Sequence, residues 1–342
     1  MKANKLLSVL IIFILSFSLL NAQPTKMGKF LGAKDTTMPS WFLNSFLDLN
    51  EDISELSQNN KRLILFIHQP NCPYCHRFVT KNLEQKDIRK KLDTHFGVVD
   101  INMYGDREIT DIDGQTYTEK EFAIKHKVQF TPTLIFFDEE AKQILRLNGY
   151  MPVEKFDMAL NFIKDKKEKT ISYKEYMANN SKVKELKNSA HKLFMKSSKI
   201  LRRDTNNKPL AVFFESKNCT ECTKLHDLFL EDKTIQSLIS KIDIAKIDTN
   251  EKQTMVTPDK IIIKTQEWLK NLKITYDPSI VFFDNKGKEI IRIESNFKKF
   301  HLQSIVDYVV SQAYKNEPEF QRYLTKRANA IRAKGIDVNI WE

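Results

Sequence analysis

Glycine is scarce in this chain, with 8 among 342 residues, and cysteine (4) and tryptophan (3) are rarer still. The apolar fraction of 41% is ordinary, and lysine, asparagine and isoleucine are abundant, so the composition lacks the bias of a disordered chain and favours compact mixed α/β domains. An apolar run long enough to span a membrane is also missing near the start: residues 6–20 make a run of 15, against the roughly 20 that a span needs. That run follows a basic start at Lys2 and Lys5 and ends near the small Ala22, the pattern of a secretory signal over residues 1–22. Leu20 is large for its place before the expected cut, which leaves an uncleaved anchor open as the alternative.

A basic stripe interleaved with aromatic side chains is absent too. The net charge of +11 falls by two when Lys2 and Lys5 leave with the signal, and the remaining lysines are scattered over amphipathic segments. Nucleic acid is therefore not an expected partner, and the excess reads as a solvated surface. His95, His126, His191, His226 and His301 have no metal-ligand spacing, and no metal is expected. What the chain does have is length: 342 residues exceed one comfortable core and suggest two domains.

The four cysteines form two pairs, Cys72-Pro73-Tyr74-Cys75 and Cys219-Thr220-Glu221-Cys222. In an oxidising compartment they could be structural disulfides, but a bridge across two residues closes almost no chain and constrains the unfolded state little. Such pairs serve chemistry better than stability. Compact zinc sites bring two pairs within about 15 to 20 residues, whereas 144 positions separate Cys75 from Cys219.

Superposing the pairs gives an offset of 147 (72 and 219), and the rest of the chain follows it. Apolar strands at 63–67 and 210–214 precede the two pairs. Thr131-Pro132-Thr133 and the strand after it match Asp277-Pro278-Ser279 and its strand at an offset of 146, and further strands follow at 144–147 and 290–293. Phe122, Val128 and Phe130 correspond to Trp268, Ile274 and Tyr276. Helical spacing precedes each first strand, in Trp41, Phe42, Phe46, Leu49 and Ile53 and again in Val183, Leu186, Ala190, Leu193 and Phe194. Two copies of one fold are therefore expected at 38–165 and 181–314, joined by a linker at 166–180. A helical extension at 315–342 has no evident counterpart in the first half. Each copy reads helix, strand, cysteine-headed helix, strand, helix, two strands and helix, an α/β fold with a central mixed β-sheet flanked by helices.

Cysteine at a helix start has a physical purpose. Unpaired amides and the helix dipole stabilise a thiolate on the first cysteine while the second waits to resolve a mixed disulfide. Cys72 is thus the expected nucleophile and Cys75 the resolving thiol; Pro73 loses no hydrogen bond there, and His68 and His76 are near enough in sequence to add positive character. Strand, cysteine pair and Thr131-Pro132 step together resemble the thioredoxin superfamily, once per repeat. The resemblance implies two tandem thioredoxin-like folds and a thiol–disulfide oxidoreductase needing no organic cofactor. It also implies a cis proline at Pro132 facing the cysteines, and substrate contact at Thr131 and Pro132, with Asp277 and Pro278 in the same places of the second copy. Asp113-Gly114, Tyr117, the run Thr118-Glu119-Lys120-Glu121-Phe122-Ala123, the run Val128-Gln129-Phe130-Thr131-Pro132-Thr133 and Gly149-Tyr150 further resemble the periplasmic SoxW-like thioredoxins associated with sulfur oxidation.

One departure is that Phe66 and Phe213 occupy the place, six residues before the first cysteine, of a buried aspartate that moves protons in many thioredoxins. His68 or solvent is expected to take over that task. Pro-Tyr between the cysteines suggests a less reducing centre than a cytosolic thioredoxin. Cys219 and Cys222 have a different charge setting: Glu221 and Asp277 disfavour a thiolate, with Lys217 and Lys224 as possible offsets, so this copy is a second redox centre or a docking and relay domain. The expected role is an exported reductase of protein disulfides recharged by a membrane redox donor. Two other readings stay open: a non-catalytic docking or chaperone protein, and c-type haem attachment at Cys72-Pro73-Tyr74-Cys75-His76. Asp111 and Asp113 read as turn formers before Gly114, and Trp41, Phe42 and Phe46 as helix core.

Overall fold

The structure, a computed structural model, describes residues 26–180, 194–195, 197–204, 208–216, 219–295 and 297–341. The signal segment, Lys217 and the helical pattern at Val183, Leu186, Ala190 and Leu193 lie outside these residues. After a short strand β1 (Phe30–Leu31), the first domain runs α1 (Leu49–Gln58), β2 (Arg62–His68), α2 (Pro73–Arg77), α3 (Lys86–His95), β3 (Phe96–Asn102), β4 (Glu108–Thr110), β5 (Thr116–Thr118), α4 (Glu119–Lys125), β6 (Thr133–Phe137), β7 (Gln143–Asn148) and α5 (Val153–Lys164). Then follow α6 (Tyr173–Asn180) and the second domain: β8 (Leu210–Glu215), α7 (Thr220–Glu231), α8 (Lys233–Ile239), β9 (Asp243–Asp248), β10 (Thr254–Val256), β11 (Ile262–Lys264), α9 (Thr265–Asn271), β12 (Ser279–Phe283), β13 (Glu289–Ile293) and α10 (Lys299–Val310). The chain ends with α11 (Phe320–Arg332) and β14 (Val338–Asn339).

Each domain is built on a four-stranded mixed sheet of the same order, β3-β2-β6-β7 and β9-β8-β12-β13. The first two strands of each are parallel and the other pairs antiparallel. In β2 the first six residues are all buried, as a central strand covered on both faces requires. Alternation sends Ile64 and Phe66 to one core with Phe78 and Phe156, and Leu63, Leu65 and Ile67 to the other with Ile53 and Phe122. Among the described residues, no helix is long and apolar enough to cross a membrane.

The first helix starts later than its apolar spacing suggests. Leu47 has a left-handed backbone (φ 64°), and the Asp48 carboxylate accepts the amides of Asn50 and Glu51, so capping chemistry places the start at Leu49. Phe42 stays in the core outside the helix, but Phe46 is 98% exposed and is not a core residue.

The repeat extends into how the domains meet. Asn148 donates to Glu294 at 2.6 Å, and Gly149 approaches Ser295; both contacts join positions 146 apart. Phe130 packs in the core of the second domain while Tyr276, its counterpart, packs in that of the first. The domains thus face each other across a pseudo-two-fold axis.

The terminal extension has a counterpart after all. The 3-10 turns Lys167–Lys169 and Ala313–Lys315 are equivalent, each preceded by a left-handed residue, Lys166 or Gln312. The helices that follow pack in the same way: Tyr173 and Tyr176 lie on Phe162, both at 5.2 Å, and Phe320 and Tyr323 lie on Tyr308, at 5.4 and 4.9 Å. Hence α11 repeats α6. Beyond α11, strand β14 pairs in parallel with β1.

Candidate active site

At the end of β2 the chain passes through Gln69, Pro70 and the left-handed Asn71 (φ 57°) to Cys72, which caps α2. The Cys75 amide donates to Cys72 Sγ at 3.0 Å, and Pro73 sits where no helical hydrogen bond is lost. The two sulfurs are joined as a disulfide. Strand β6 runs antiparallel to β2 with Thr133 opposite Ile67, which carries the preceding proline step across to the cysteines. Thr131–Pro132 is a cis peptide bond. Thr131 Oγ1 lies 3.3 Å from Cys72 Sγ and the Thr131 carbonyl 3.8 Å from it.

The second domain repeats this construction. Cys219 caps α7, the Cys222 amide donates to Cys219 Sγ at 3.2 Å, and the pair is disulfide-bonded. Asp277–Pro278 is also cis, with Ser279 opposite Phe214. The charges differ. His226 Nε2 stands 2.5 Å from Glu215 Oε1 in a buried pair, and Asp277 Oδ2 accepts from Thr249 Oγ1 at 3.0 Å. Burial raises the Asp277 pKa, against the opposing pull of Lys174 on α6. The readings that rest on Lys217 and on the side chain of Glu221 fall outside the described residues.

His68 and His76 have separate surroundings. His68 Nε2 is 3.5 Å from Asp100 Oδ2, and Asp100 is held low chiefly by that histidine, with burial opposing and Arg107 adding to the effect. His76, which a haem reading would need as an iron ligand, meets the Asp35 carbonyl through Nδ1 at 3.1 Å. Asp111 and Gly114 close a turn by a backbone hydrogen bond of 2.8 Å. Among the described residues, no three His, Cys, Asp or Glu side chains gather as a metal site.

Sequence reasoning missed the burial of the site. Cys72 is 2% exposed, Cys75 0% and Cys219 8%. Tyr74, between the first two cysteines, accepts from the Lys298 amide at 3.1 Å and packs edge-on against His301 at 5.1 Å and against Trp341 at 5.2 Å. His301 is enclosed, its Nδ1 has no hydrogen-bond partner among the described residues, and burial lowers its pKa to about 4. At the proline step, Gln321 Nε2 donates to the Gln129 carbonyl at 2.9 Å and the Phe320 amide to Gln129 Oε1 at 3.0 Å, while Gln69 donates to Gln321 Oε1 at 3.2 Å. The aromatic spacing shared by Tyr173 and Tyr176 with Phe320 and Tyr323 was the signal that could have exposed this cover.

The family model for a thioredoxin-like domain matches residues 49–164 and 199–309. No curated protein matches the chain. Among solved structures the chain is similar to a thioredoxin-fold protein from Helicobacter pylori, with 27% identity over 39% of this chain and 90% of that one and a TM-score of 0.31. It is also similar to a thioredoxin from Thermus thermophilus (22% identity, 34% and 83% covered, TM-score 0.27) and to the DsbH oxidoreductase (21%, 37% and 92%, 0.26). The family matched is the general one and carries no SoxW designation.

Proposed function

Because the chain belongs to the thioredoxin-like domain family in both of its domains, we propose that it is an exported thiol–disulfide oxidoreductase, working as a reductase through Cys72 and Cys75. The observation that carries this reading is the pair of donors around one sulfur: the Cys75 amide at 3.0 Å and the Thr131 hydroxyl at 3.3 Å from Cys72 Sγ. Both stabilise a thiolate there, in addition to the helix dipole. In the reduced centre the Cys72 thiolate attacks a substrate disulfide, expelling one thiolate and leaving a mixed disulfide beside Thr131. The Cys75 thiolate then attacks Cys72 Sγ, the second substrate thiolate leaves, and the Cys72–Cys75 disulfide is formed. Two electrons pass to the substrate, and a dithiol donor, read as membrane-borne, restores the centre.

Export rests on the leader pattern at residues 1–22. The second domain serves as a docking or relay partner, since Asp277 holds the position equivalent to Thr131, before the second cis proline, with a buried carboxyl that accepts from Thr249. The test is trapping: Cys75→Ala should leave substrate covalently attached to Cys72, and Cys72→Ser should abolish dithiothreitol-coupled disulfide reduction. Undiminished activity in Cys72→Ser sinks the reading.

A further inference from the structure

Protein disulfides are the expected substrates of such a centre, yet its substrate face is closed. The carbonyl and side chain of Gln129 are both taken by the start of α11, so a polypeptide strand could lie along the segment leading to Pro132 only by displacing that helix. Phe320, fully buried between Phe130 and Tyr308, holds the helix down. What remains open is a cavity of about 430 Å³ with Cys72 in its wall, within the size range of small-molecule sites.

The walls define a chemistry. Tyr104, Phe130 and Phe297 give the cavity an aromatic side, and Gln69, Asn71 and Asn329 supply amides. Arg332 is its one cationic side chain, and no aspartate or glutamate lines it among the described residues. The guanidinium is fixed in place, with Nε donating to the Gly28 carbonyl at 2.8 Å and Nη1 to Asn329 Oδ1 at 3.0 Å, while Nη2 makes no hydrogen bond among the described residues. His301, also in the wall, is neutral near pH 7 because burial disfavours its charged form, so it adds no second charge.

We propose that the Cys72–Cys75 centre serves a low-molecular-weight disulfide that carries a carboxylate, admitted to the cavity that the two domains and α11 build together. This rests on the oxidoreductase reading above and names its substrate class. The exchange is the one already written, with both leaving groups small thiolates and dithiothreitol as the two-electron donor in the assay. The carboxylate pairs with Arg332, the sulfur bridge reaches Cys72, and α10 and α11 of the second half exclude larger substrates.

The full chain carrying Cys219→Ser and Cys222→Ser leaves one redox pair to count. After reduction and desalting, its oxidation is followed by maleimide trapping with 3,3′-dithiodipropionate (a dianion), cystamine (a dication) and insulin, each rate divided by that oxidant's rate with free dithiothreitol. The dianion should lead cystamine by about tenfold, the worth of one charge-assisted hydrogen bond, and insulin should trail both. Arg332→Gln should remove the lead of the dianion by slowing it while cystamine, relieved of a repelling charge, speeds up, and Arg332→Lys should restore part of that lead. Insulin at parity with the dianion overturns the small-substrate cavity and shows that the face opens to proteins. An equal preference for both small disulfides, or one indifferent to Arg332→Gln, overturns the carboxylate. Failure of all three oxidants sinks the oxidoreductase reading itself.

Discussion

Replacing Phe320 by alanine should expose Cys72 without touching it. The ring is fully buried, 5.4 Å from Phe130 of the first domain and 5.4 Å from Tyr308 of the second. Truncating such a phenylalanine costs about 3–5 kcal/mol. Its contacts divide between the two domains, so roughly half of that loss, about 2 kcal/mol, falls on the docking of α11 over Gln129 and the other half within the second domain. At about 1.4 kcal/mol per tenfold, the population with the helix undocked rises about 30-fold. The assay is the alkylation rate of Cys72 by a bulky maleimide in full chain carrying Cys75→Ala, Cys219→Ser and Cys222→Ser, so that one thiol is read. Phe46→Ala, at a side chain 98% exposed, is the control and should leave the rate alone. A rate unchanged in Phe320→Ala, in protein whose melting temperature has fallen, would refute the claim that α11 controls access.

The remaining predictions concern stability. Burial depresses the His301 pKa from 6.5 to about 4, so the stability its neutral form carries is complete above pH 6.5 and is lost as pH falls towards 4. His301→Gln should flatten that acid limb of urea midpoints, by about 3 kcal/mol at most, and an identical limb in the variant would contradict the burial argument. For Asp277 burial raises the pKa from 3.8, so its contribution is present below that value and lost as pH rises through the folded pKa. Asp277→Asn should therefore melt higher than the parent at pH 7 and approach it below pH 3.8. A Cβ on Gly149 would lie 2.1 Å from Ser295 Oγ at a φ of +85°, whereas one on Gly114 meets nothing within 4 Å at +76°. Gly114→Ala should cost about 1–2 kcal/mol in urea titration, the left-handed penalty alone, and Gly149→Ala clearly more.

The doubling of the fold was legible because chemistry punctuates it. Two cysteine pairs and two proline steps at offsets of 147 and 146 fix the register, and the all-apolar runs before the pairs identify central strands. The start of α1 was not, because Phe46 keeps helical spacing with Leu49 and Ile53 while the Asp48 cap and the left-handed Leu47 decide the boundary. Closure of the site was invisible for a different reason. Gln69 meets Gln321 and Tyr74 meets Lys298 across separations of 252 and 224 positions, contacts that no local periodicity encodes. Nor does the sequence mark His301 as buried, since its lowered pKa comes from the aromatic enclosure supplied by both domains.

The pseudo-two-fold axis has a consequence for how the halves can diverge. In a dimer of identical chains, an isologous interface sets each residue near the axis against itself or its own copy's neighbour, so a single change is made twice. Here the equivalent positions 148 and 294 are asparagine and glutamate, and they form a hydrogen bond of 2.6 Å; two glutamates in their places would repel. Positions 149 and 295 are glycine and serine, one yielding the space that the other fills. Joining both copies in one polypeptide thus permits complementary pairs that a homodimer could not make, and lets the helices that end the second half wall the cavity beside Cys72 without a matching change in the first.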